Sequence, residues 1–402
     1  MKNRLNDAKS NTVLQLLRIS LGTMAGLALA LTLLAATGEV AQAQTENVLY
    51  SFKGGAGGQI PFAGVVRDHD GNLYGIADQG GANGLGTIFE ITAAGKEKVL
   101  HTFTGGKDGS AYYSGLTIDK KGNLYGTTPG GGTHQVGSVF ELTPKHKVAL
   151  LYSFKDKKDG SSPGAGVFRD KTGDLFGTTF AGGAKDNGVV FRVTGGSETV
   201  LHAFTGTEEG SEPYGTVVVD AKKNIYGSTY LGGAFGFGEV FKVSSKGKFK
   251  ILYSFTGGSD GSGPIAGVVR DKMGNLYGTT TGGGAHGLGA VFKVTPSGQE
   301  TVLHSFAGTD GGLPYAGVIL DEEGNLYGTT YIGGTGYGTV FELASDGTLK
   351  VLHNFANGTD GASPYAGLIM DDQGNLYGTT QYGGDVSCNP PYGCGTVFEV
   401  TP

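Results

Sequence analysis

The sequence is short of several residue types whose abundance would indicate a particular protein class. Its 402 residues include no tryptophan, 2 cysteines and 12 prolines, and only 16% of them are charged. Because prolines are so few and no Gly-X-Y period occurs, a collagen-like chain is excluded. A formal net charge of -6 also argues against a basic nucleic-acid binder. Hydrophobic residues make up 38% of the chain and suffice for a core, so the 77 glycines do not indicate disorder.

Residues 1–43 have the layout of a secretory signal peptide. Four basic residues accompany a nearly apolar run at 19–36, and Ala41 and Ala43 then supply the small residues that a signal peptidase reads. We expect cleavage after Ala43 and export of residues 44–402, with no further membrane span. An uncleaved anchor is the alternative, because the apolar run is nearly long enough to cross a bilayer.

One motif recurs through the rest of the chain. The string N-L-Y-G, or a close variant, occurs seven times at spacings of 50 or 51 residues. The aromatic residues of the seven copies are Tyr74, Tyr125, Phe176, Tyr226, Tyr277, Tyr327 and Tyr377. Residues 44–402 divide into seven units of this length, which predicts a single repeat domain.

Each unit contains four short runs of strand character, which we name A, B, C and D in chain order and expect to run from the centre of the fold to its rim. In the fifth unit they are Ala266–Asp271, Asn275–Thr280, Gly289–Val294 and Thr301–Phe306. Val, Leu, Thr, Tyr and Phe dominate these runs, and Gly, Asp or Pro bound them. Seven units of four strands predict an all-β fold, a seven-bladed β-propeller with four antiparallel strands in each blade. A parallel β-helix is the alternative, but its coils are shorter.

The two ends of the repeat region indicate how the ring closes. The region begins with a D run, Val48–Phe52, and ends with a C run, Thr396–Val400. We therefore predict that the N-terminal strand completes the last blade by antiparallel pairing. This arrangement would remove an open sheet edge that otherwise invites aggregation.

The long repeat pattern G-[VL]-x-x-D-x-x-G-N-L-Y-G-T-T-x-x-G-G-x-x-G-x-G-T-V-F-E-L has its clearest copies at Gly317–Leu343 and Gly267–Val294. This pattern resembles the Gloeo/Verruco tandem repeat in all seven units. The resemblance implies an exported bacterial repeat protein, and it brings no catalytic residues with it.

An acidic residue recurs in the D–A loops, which share one face of a propeller with the B–C loops. These six residues are Asp108, Asp159, Glu209, Asp260, Asp310 and Asp360. We expect them around the mouth of the central channel, where they would attract Ca²⁺ or a cationic ligand. Simple Asp-Gly turns are the alternative. The spacing of a discrete Ca²⁺ loop is missing, so no defined metal site is predicted.

Aromatic residues gather on the same loops. Those near the start of A are Phe62, Tyr113, Tyr214, Tyr315 and Tyr365. Those just after B are Phe180, Tyr230, Tyr331 and Tyr382. Beside carboxylates, their rings would stack on a glycan or a peptide, and packing between the blades is the alternative.

Two further positions have a structural interpretation. An Asp closes every A run, as Asp271 does, and its side chain suits a tight A–B turn. His101, His202, His304 and His353 share a D-strand position with Tyr in other blades, which indicates packing or hydrogen bonding.

The two cysteines lie in a short insertion in the last B–C loop, within S-C-N-P-P-Y-G-C. Their close spacing and the expected export predict a Cys388–Cys394 disulfide that presents Tyr392 on the loop face.

No nucleophile elbow, H-E-x-x-H or phosphate loop occurs in the sequence. We therefore predict a monomeric binding module whose ligand is a glycan, a peptide or a protein, without a cofactor. A hydrolase or lyase that uses the channel-mouth carboxylates is one alternative. A structural surface or matrix protein is another.

Overall fold

Seven four-stranded antiparallel sheets are arranged in a ring as a seven-bladed β-propeller. This computed structural model describes residues 45–155 and 158–402, so the predicted signal peptide lies outside the described residues. A 3-10 turn at Gly55–Gly57 is the helical segment among the assigned elements. Within the described ranges, no helix has the length and apolar character needed to cross a membrane.

The blades are numbered one to seven in chain order, and each sheet runs from strand A to strand D. The A strands are β2 (Val66–Arg67), β6 (Thr117–Ile118), β10 (Phe168–Arg169), β14 (Val218–Val219), β18 (Val269–Arg270), β22 (Ile319–Leu320) and β26 (Ile369–Met370). The B strands are β3 (Leu73–Ala77), β7 (Leu124–Thr128), β11 (Leu175–Thr179), β15 (Ile225–Thr229), β19 (Leu276–Thr280), β23 (Leu326–Thr330) and β27 (Leu376–Thr380). The C strands are β4 (Thr87–Ile91), β8 (Ser138–Leu142), β12 (Val189–Thr194), β16 (Glu239–Val243), β20 (Ala290–Val294), β24 (Thr339–Leu343) and β28 (Thr396–Thr401). The D strands are β5 (Glu97–Thr102), β9 (Val148–Ser153), β13 (Ser197–Ala203), β17 (Phe249–Ser254), β21 (Glu300–Ser305), β25 (Leu349–Asn354) and β1 (Thr45–Ser51).

The A strands are shorter than the sequence predicts. In blade five only Val269–Arg270 pairs with the B strand, whereas the predicted run began at Ala266. Gly267 instead lies against the neighbouring blade, so close that a Cβ atom there would be 2.1 Å from the carbonyl oxygen of Thr216. The first residues of the A run therefore form contacts between blades, and only the two residues before its closing Asp pair with the B strand.

Ring closure follows the prediction. Strand β1 pairs antiparallel with β28, with Thr45 opposite Thr401 and Ser51 opposite Thr396. Blade seven thus takes its outer strand from the other end of the repeat region, and β28 has a partner on both sides.

Phenylalanine pairs join each blade to the next. Every D strand is followed by a buried Phe whose ring meets the C-strand Phe of the following blade edge to face, with centroids 5.0–6.0 Å apart. These pairs are Phe52–Phe89, Phe103–Phe140, Phe154–Phe191, Phe204–Phe241, Phe255–Phe292, Phe306–Phe341 and Phe355–Phe398. The Gly of N-L-Y-G lies under this C-strand ring: a Cβ atom at Gly278 would be 2.7 Å from Phe292. The aromatic contacts explain why the repeat requires glycine in the middle of a B strand.

Hydroxyl groups on the B strands form a second link between blades. In six blades a Thr or Ser donates a hydrogen bond of 2.6–3.2 Å to a backbone carbonyl just before the next A strand. The donor–acceptor pairs are Thr127–Ala165, Thr178–Gly215, Ser228–Ala266, Thr279–Ala316, Thr329–Ala366 and Thr379–Ala63. Blade one has the buried Ile76 at this position. Its junction with blade two therefore lacks this bond.

The Asp that closes each A run forms the predicted turn. In blade five, Asp271 accepts the backbone N–H of Asn275 at 2.8 Å and its side-chain amide at 2.7 Å. The hydroxyl of Tyr277 donates to the same carboxylate at 3.2 Å. These aspartates hold the A–B turn together and belong to the scaffold.

Candidate functional site

A cavity of about 460 Å³ lies on the propeller axis, where the D–A loops end. Residues that precede the A strands of all seven blades line it. Five of these blades place an aromatic residue at the same position: Phe62, Tyr113, Tyr214, Tyr315 and Tyr365. Blades three and five have Gly164 and Ile265 there, and Tyr230 from a B–C loop adds a further ring.

The cavity aromatics form a nearly continuous arc. Phe62 lies 4.6 Å from Tyr113 and 5.4 Å from Tyr365, measured between ring centroids. Tyr315 stacks on Tyr365 at 4.8 Å with an angle of 13° between the ring planes. The side chains are only partly buried. Ring faces therefore remain available to a molecule in the cavity.

The hydroxyls of Tyr365 and Tyr214 stay protonated. Burial, followed by the charge of neighbouring tyrosines, raises the pKa of Tyr365 well above its usual range. Burial and the nearby Glu212 raise the pKa of Tyr214 to about 12. These groups act as neutral hydrogen-bond donors at any physiological pH.

Glycines form the floor of the cavity. In six blades the glycine lies two residues after the loop aromatic or its equivalent, and in blade four it is Gly215, one residue after Tyr214. A Cβ atom at Gly64 would lie 2.8 Å from the carbonyl oxygen of Gly367 in the adjacent blade. The backbones therefore meet too closely for side chains at this depth.

The structure corrects the predicted position of the six carboxylates. Asp108, Asp159, Glu209, Asp260, Asp310 and Asp360 do not line the axial cavity. Each lies at the start of its D–A loop, beside the Tyr or His of the preceding D strand. His304 contacts Asp310 at 2.7 Å, and Tyr253 donates a hydrogen bond to Asp260 at 2.9 Å. A D–A loop runs from the outermost strand to the axis, so its first residues lie near the rim and its last residues line the cavity.

The carboxylates also bind the backbone of their own loops, as the turn interpretation expects. Asp260 accepts the N–H of Thr256 at 2.7 Å, and Asp360 accepts that of Ala356 at 2.8 Å. In the described ranges, no three His, Cys, Asp or Glu side chains converge where a metal ion would bind. The four D-strand histidines are partners of these carboxylates, as in the His101–Asp108 contact of 3.0 Å.

Asp78 is a candidate residue that the sequence reasoning missed. Its side chain is 3% exposed, and Oδ2 accepts the N–H of Tyr113 at 2.7 Å. Burial raises its pKa to about 7, even though the N–H groups of Tyr113 and Phe62 favour the charged form. Oδ1 is buried and has no hydrogen-bond partner among the described residues. An alignment of the repeats gives the missing signal, because the same position holds Pro129, Phe180, Tyr230, Thr281, Tyr331 and Gln381 in blades two to seven.

The junction of blades one and two departs from the repeat in a second way. Six blades carry a proline directly before the A-run position that faces the cavity, and blade two carries Tyr112. Without the proline, Tyr113 itself adopts a left-handed backbone with φ of 53°. Tyr112 is 50% exposed and lies 4.4 Å from Tyr113. The asymmetry of the cavity is therefore greatest beside Asp78.

Glu239 is a second buried acid that the sequence reasoning missed. It begins strand β16, its side chain is 0% exposed, and neither carboxylate oxygen has a hydrogen-bond partner among the described residues. Burial, with a smaller contribution from Glu209, raises its pKa to about 8. Thr87, Thr339 and Thr396 occupy the same place in blades one, six and seven.

The predicted disulfide between Cys388 and Cys394 is present, with Cα atoms 6.0 Å apart. It lies in the B–C loop of blade seven and closes the turn that carries Tyr392. Tyr392 is 57% exposed and lies 5.7 Å from Tyr382. The bridge therefore supports an exposed aromatic side chain on the loop face, as predicted.

The fold and the site define a seven-bladed β-propeller with an aromatic cavity on its axis. The sequence matches the family model of the Gloeobacter/Verrucomicrobia repeat over residues 35–170, 137–335 and 238–402. The chain belongs to this family, which confirms the resemblance noted in the sequence.

Comparison with curated proteins found no match to this chain. A solved structure described as the extracellular domain of a one-component system from B. thetaiotaomicron is 13% identical, with a TM-score of 0.54. That match covers 87% of this chain and 39% of the other, so this chain spans less than half of that protein. A gluconolactonase from Xanthomonas campestris is also 13% identical, with a TM-score of 0.45 and coverage of 78% of this chain and 93% of the other.

Proposed function

We propose that this protein is an exported binding module that holds a sugar ring in the axial cavity. The observation that carries the proposal is the recurrence of an aromatic side chain at one loop position in five of seven blades, with all five at one cavity. The apolar C–H face of a sugar packs well on such rings. The cavity volume of about 460 Å³ falls in the range typical of small-molecule sites.

The tyrosine hydroxyls complete the chemistry that a sugar requires. Tyr214, Tyr315 and Tyr365 each offer a hydroxyl group beside an apolar ring face, so a bound sugar would find both stacking surfaces and hydrogen-bonding groups. The glycine floor leaves the aromatic arc as the main recognition surface.

The alternatives receive less support from this geometry. A hydrolase or lyase needs carboxylates at the bound substrate. The six predicted ones lie near the rim, and Asp78 and Glu212, which adjoin the cavity, are not among its lining residues. A purely structural protein has no need for partly exposed aromatic rings around a cavity. Export rests on the signal-peptide layout and on the Cys388–Cys394 disulfide, since disulfides persist outside the cytoplasm.

The test is a calorimetric titration of the exported chain with monosaccharides and short oligosaccharides. Removal of one stacking ring, by Tyr315→Ala, should weaken binding about tenfold, which corresponds to roughly 1.4 kcal/mol. The matched control is Tyr337→Ala, because Tyr337 is 42% exposed and does not line the cavity. If no sugar binds, or if both variants weaken binding equally, the proposal is wrong.

A further inference from the structure

We infer that the ligand of the axial cavity carries a positive charge, as an amino sugar does. The inference rests on the proposed function and adds the charge of the ligand. It comes from the two acidic side chains that adjoin the cavity and from the aromatic faces that line it.

Among the described residues, those that line the cavity are Gly, Ala, Thr, Ile, Phe or Tyr, and the acids Asp78 and Glu212 act on two of its tyrosines. Asp78 binds the backbone of Tyr113 at 2.7 Å. Glu212 precedes Pro213 and Tyr214, and its charge acts on the Tyr214 hydroxyl. No Lys, Arg or His is found in the lining within the described part of the chain. A cation entering the cavity therefore meets an attractive field, and an anion meets a repulsive one.

Both acids are departures from the repeat. Asp78 replaces an aromatic residue, Thr, Pro or Gln of the other blades, and Glu212 replaces an uncharged residue. The residues at the Glu212 position are Ile60, Ala111, Ser162, Gly263, Leu313 and Ser363. The acidity is thus not a requirement of the scaffold, because the other blades fold without an acid at these positions.

Asp78 has a carboxylate oxygen that could interact with a positively charged group. It is 3% exposed, and its Oδ1 atom has no hydrogen-bond partner among the described residues. An ionised carboxylate in such a place is costly unless a positive charge compensates it. An ammonium group in the adjoining cavity would provide that compensation through the low-dielectric interior.

The aromatic arc also favours a positively charged ligand. Cations are attracted to the faces of Tyr and Phe rings, and cages of several rings bind ammonium groups in water. Phe62, Tyr113 and Tyr365 lie within 5.5 Å of one another, directly beside Asp78. A sugar whose amine lies at this end of the arc would combine ring stacking with cation–π contact.

The experiment compares D-glucosamine, D-glucose and D-glucuronate by calorimetry at about pH 7 and low salt. Glucosamine should bind at least about tenfold more tightly than glucose, and glucuronate more weakly than glucose. High salt should reduce the difference, since it screens charges. Equal affinities for glucosamine and glucose would overturn the inference and leave the proposed function standing.

Variants of the two acids test whether these residues cause the preference for glucosamine. Asp78→Asn and Glu212→Gln should each reduce the preference for glucosamine over glucose. Glu208→Gln is the control, because Glu208 is an exposed acid in the same loop as Glu212. Glu212→Gln keeps the test informative if Asp78→Asn fails to fold, since Glu212 is only partly buried.

A further titration uses choline, which carries a positive charge but has no sugar ring. If choline binds and no sugar does, the inference about charge stands and the proposed sugar function is wrong. If glucosamine binds and choline does not, both proposals stand. If the preference persists in both acid variants, Asp78 and Glu212 are not its source and the role assigned to these two acids is wrong.

Discussion

Replacement of the buried Glu239 by threonine should stabilise the protein at alkaline pH. Glu239 faces no hydrogen-bond donor among the described residues, whereas Thr339 in blade six shares a hydrogen bond of 2.8 Å with Thr330. The equivalent Thr229 in blade four donates to the carbonyl of Leu231. Glu239→Thr would therefore remove a buried acid and introduce a residue that three other blades already hold.

The direction in which stability changes with pH follows from the raised pKa of Glu239. This pKa is about 8 in the folded chain, against 4.5 for an ordinary glutamate. Between these values the folded state holds the proton that the unfolded state has lost. The free energy of unfolding therefore falls as pH rises from about 4.5 to about 8, and the loss is complete above that range. At about 1.4 kcal/mol for each pKa unit, the loss at pH 8.5 is roughly 2–5 kcal/mol.

The assay is urea unfolding of the wild type and of Glu239→Thr at about pH 5 and pH 8.5. The two proteins should have similar free energies of unfolding at the lower pH, and the variant should be more stable at the higher pH. Glu208→Thr removes the same charge from an exposed position in blade four and should show no such pH-dependent gain. An equal difference at both pH values would refute the reasoning, because it would show that Glu239 does not titrate in this range.

Three further changes test the joints of the ring. Phe52→Ala should lower the free energy of unfolding by about 3–5 kcal/mol. Phe306→Ala removes the equivalent ring inside the chain and should cause a similar loss, and thermal unfolding compares the two variants. A Phe52 variant as stable as the wild type would mean that the closing strand is not docked in solution. Thr329→Val leaves the carbonyl of the next blade without its donor and should cost about 1–3 kcal/mol in urea unfolding; no change would show that the hydroxyl is dispensable. Replacement of Cys388 and Cys394 by Ser should hardly change the melting temperature, because the loop is short, but should speed proteolysis within that loop. Equal proteolysis rates would contradict this.

The blades and their closure follow from the sequence because both depend on local pattern. Strand residues bounded by glycine recur every 50 or 51 residues, and one D run without a C run predicts the pairing of β1 with β28. The disulfide is predictable for a similar reason, since Cys388 and Cys394 are close in the chain and share one loop.

The radial position of loop residues could not be predicted from the same pattern. Asp310 and Tyr315 are five residues apart in one loop, yet Asp310 contacts His304 of the outer strand and Tyr315 lines the axial cavity. The expected order of the strands from centre to rim gives the direction of the loop across the blade. The spacing of the repeat does not show at which residue the loop reaches the cavity.

Asp78 and Glu239 were missed for a different reason. Each is one substitution within a strand end that otherwise follows the repeat, and neither belongs to a motif. Their importance comes from burial without a partner, which depends on side chains from neighbouring strands and blades. Comparison of the seven repeats with one another detects the substitution, but the structure is needed to show that the acid is buried.

The seam between β1 and β28 has a mechanical consequence. Thr45 lies opposite Thr401, and Ser51 opposite Thr396, so the two ends of the ring leave from the same point of the same strand pair. Tension between those ends would peel the pair open one hydrogen bond after another, beginning at Thr45 and Thr401, instead of shearing all the bonds at once. A modest pull on the two ends would therefore open the ring at this seam, with the other six blades still folded.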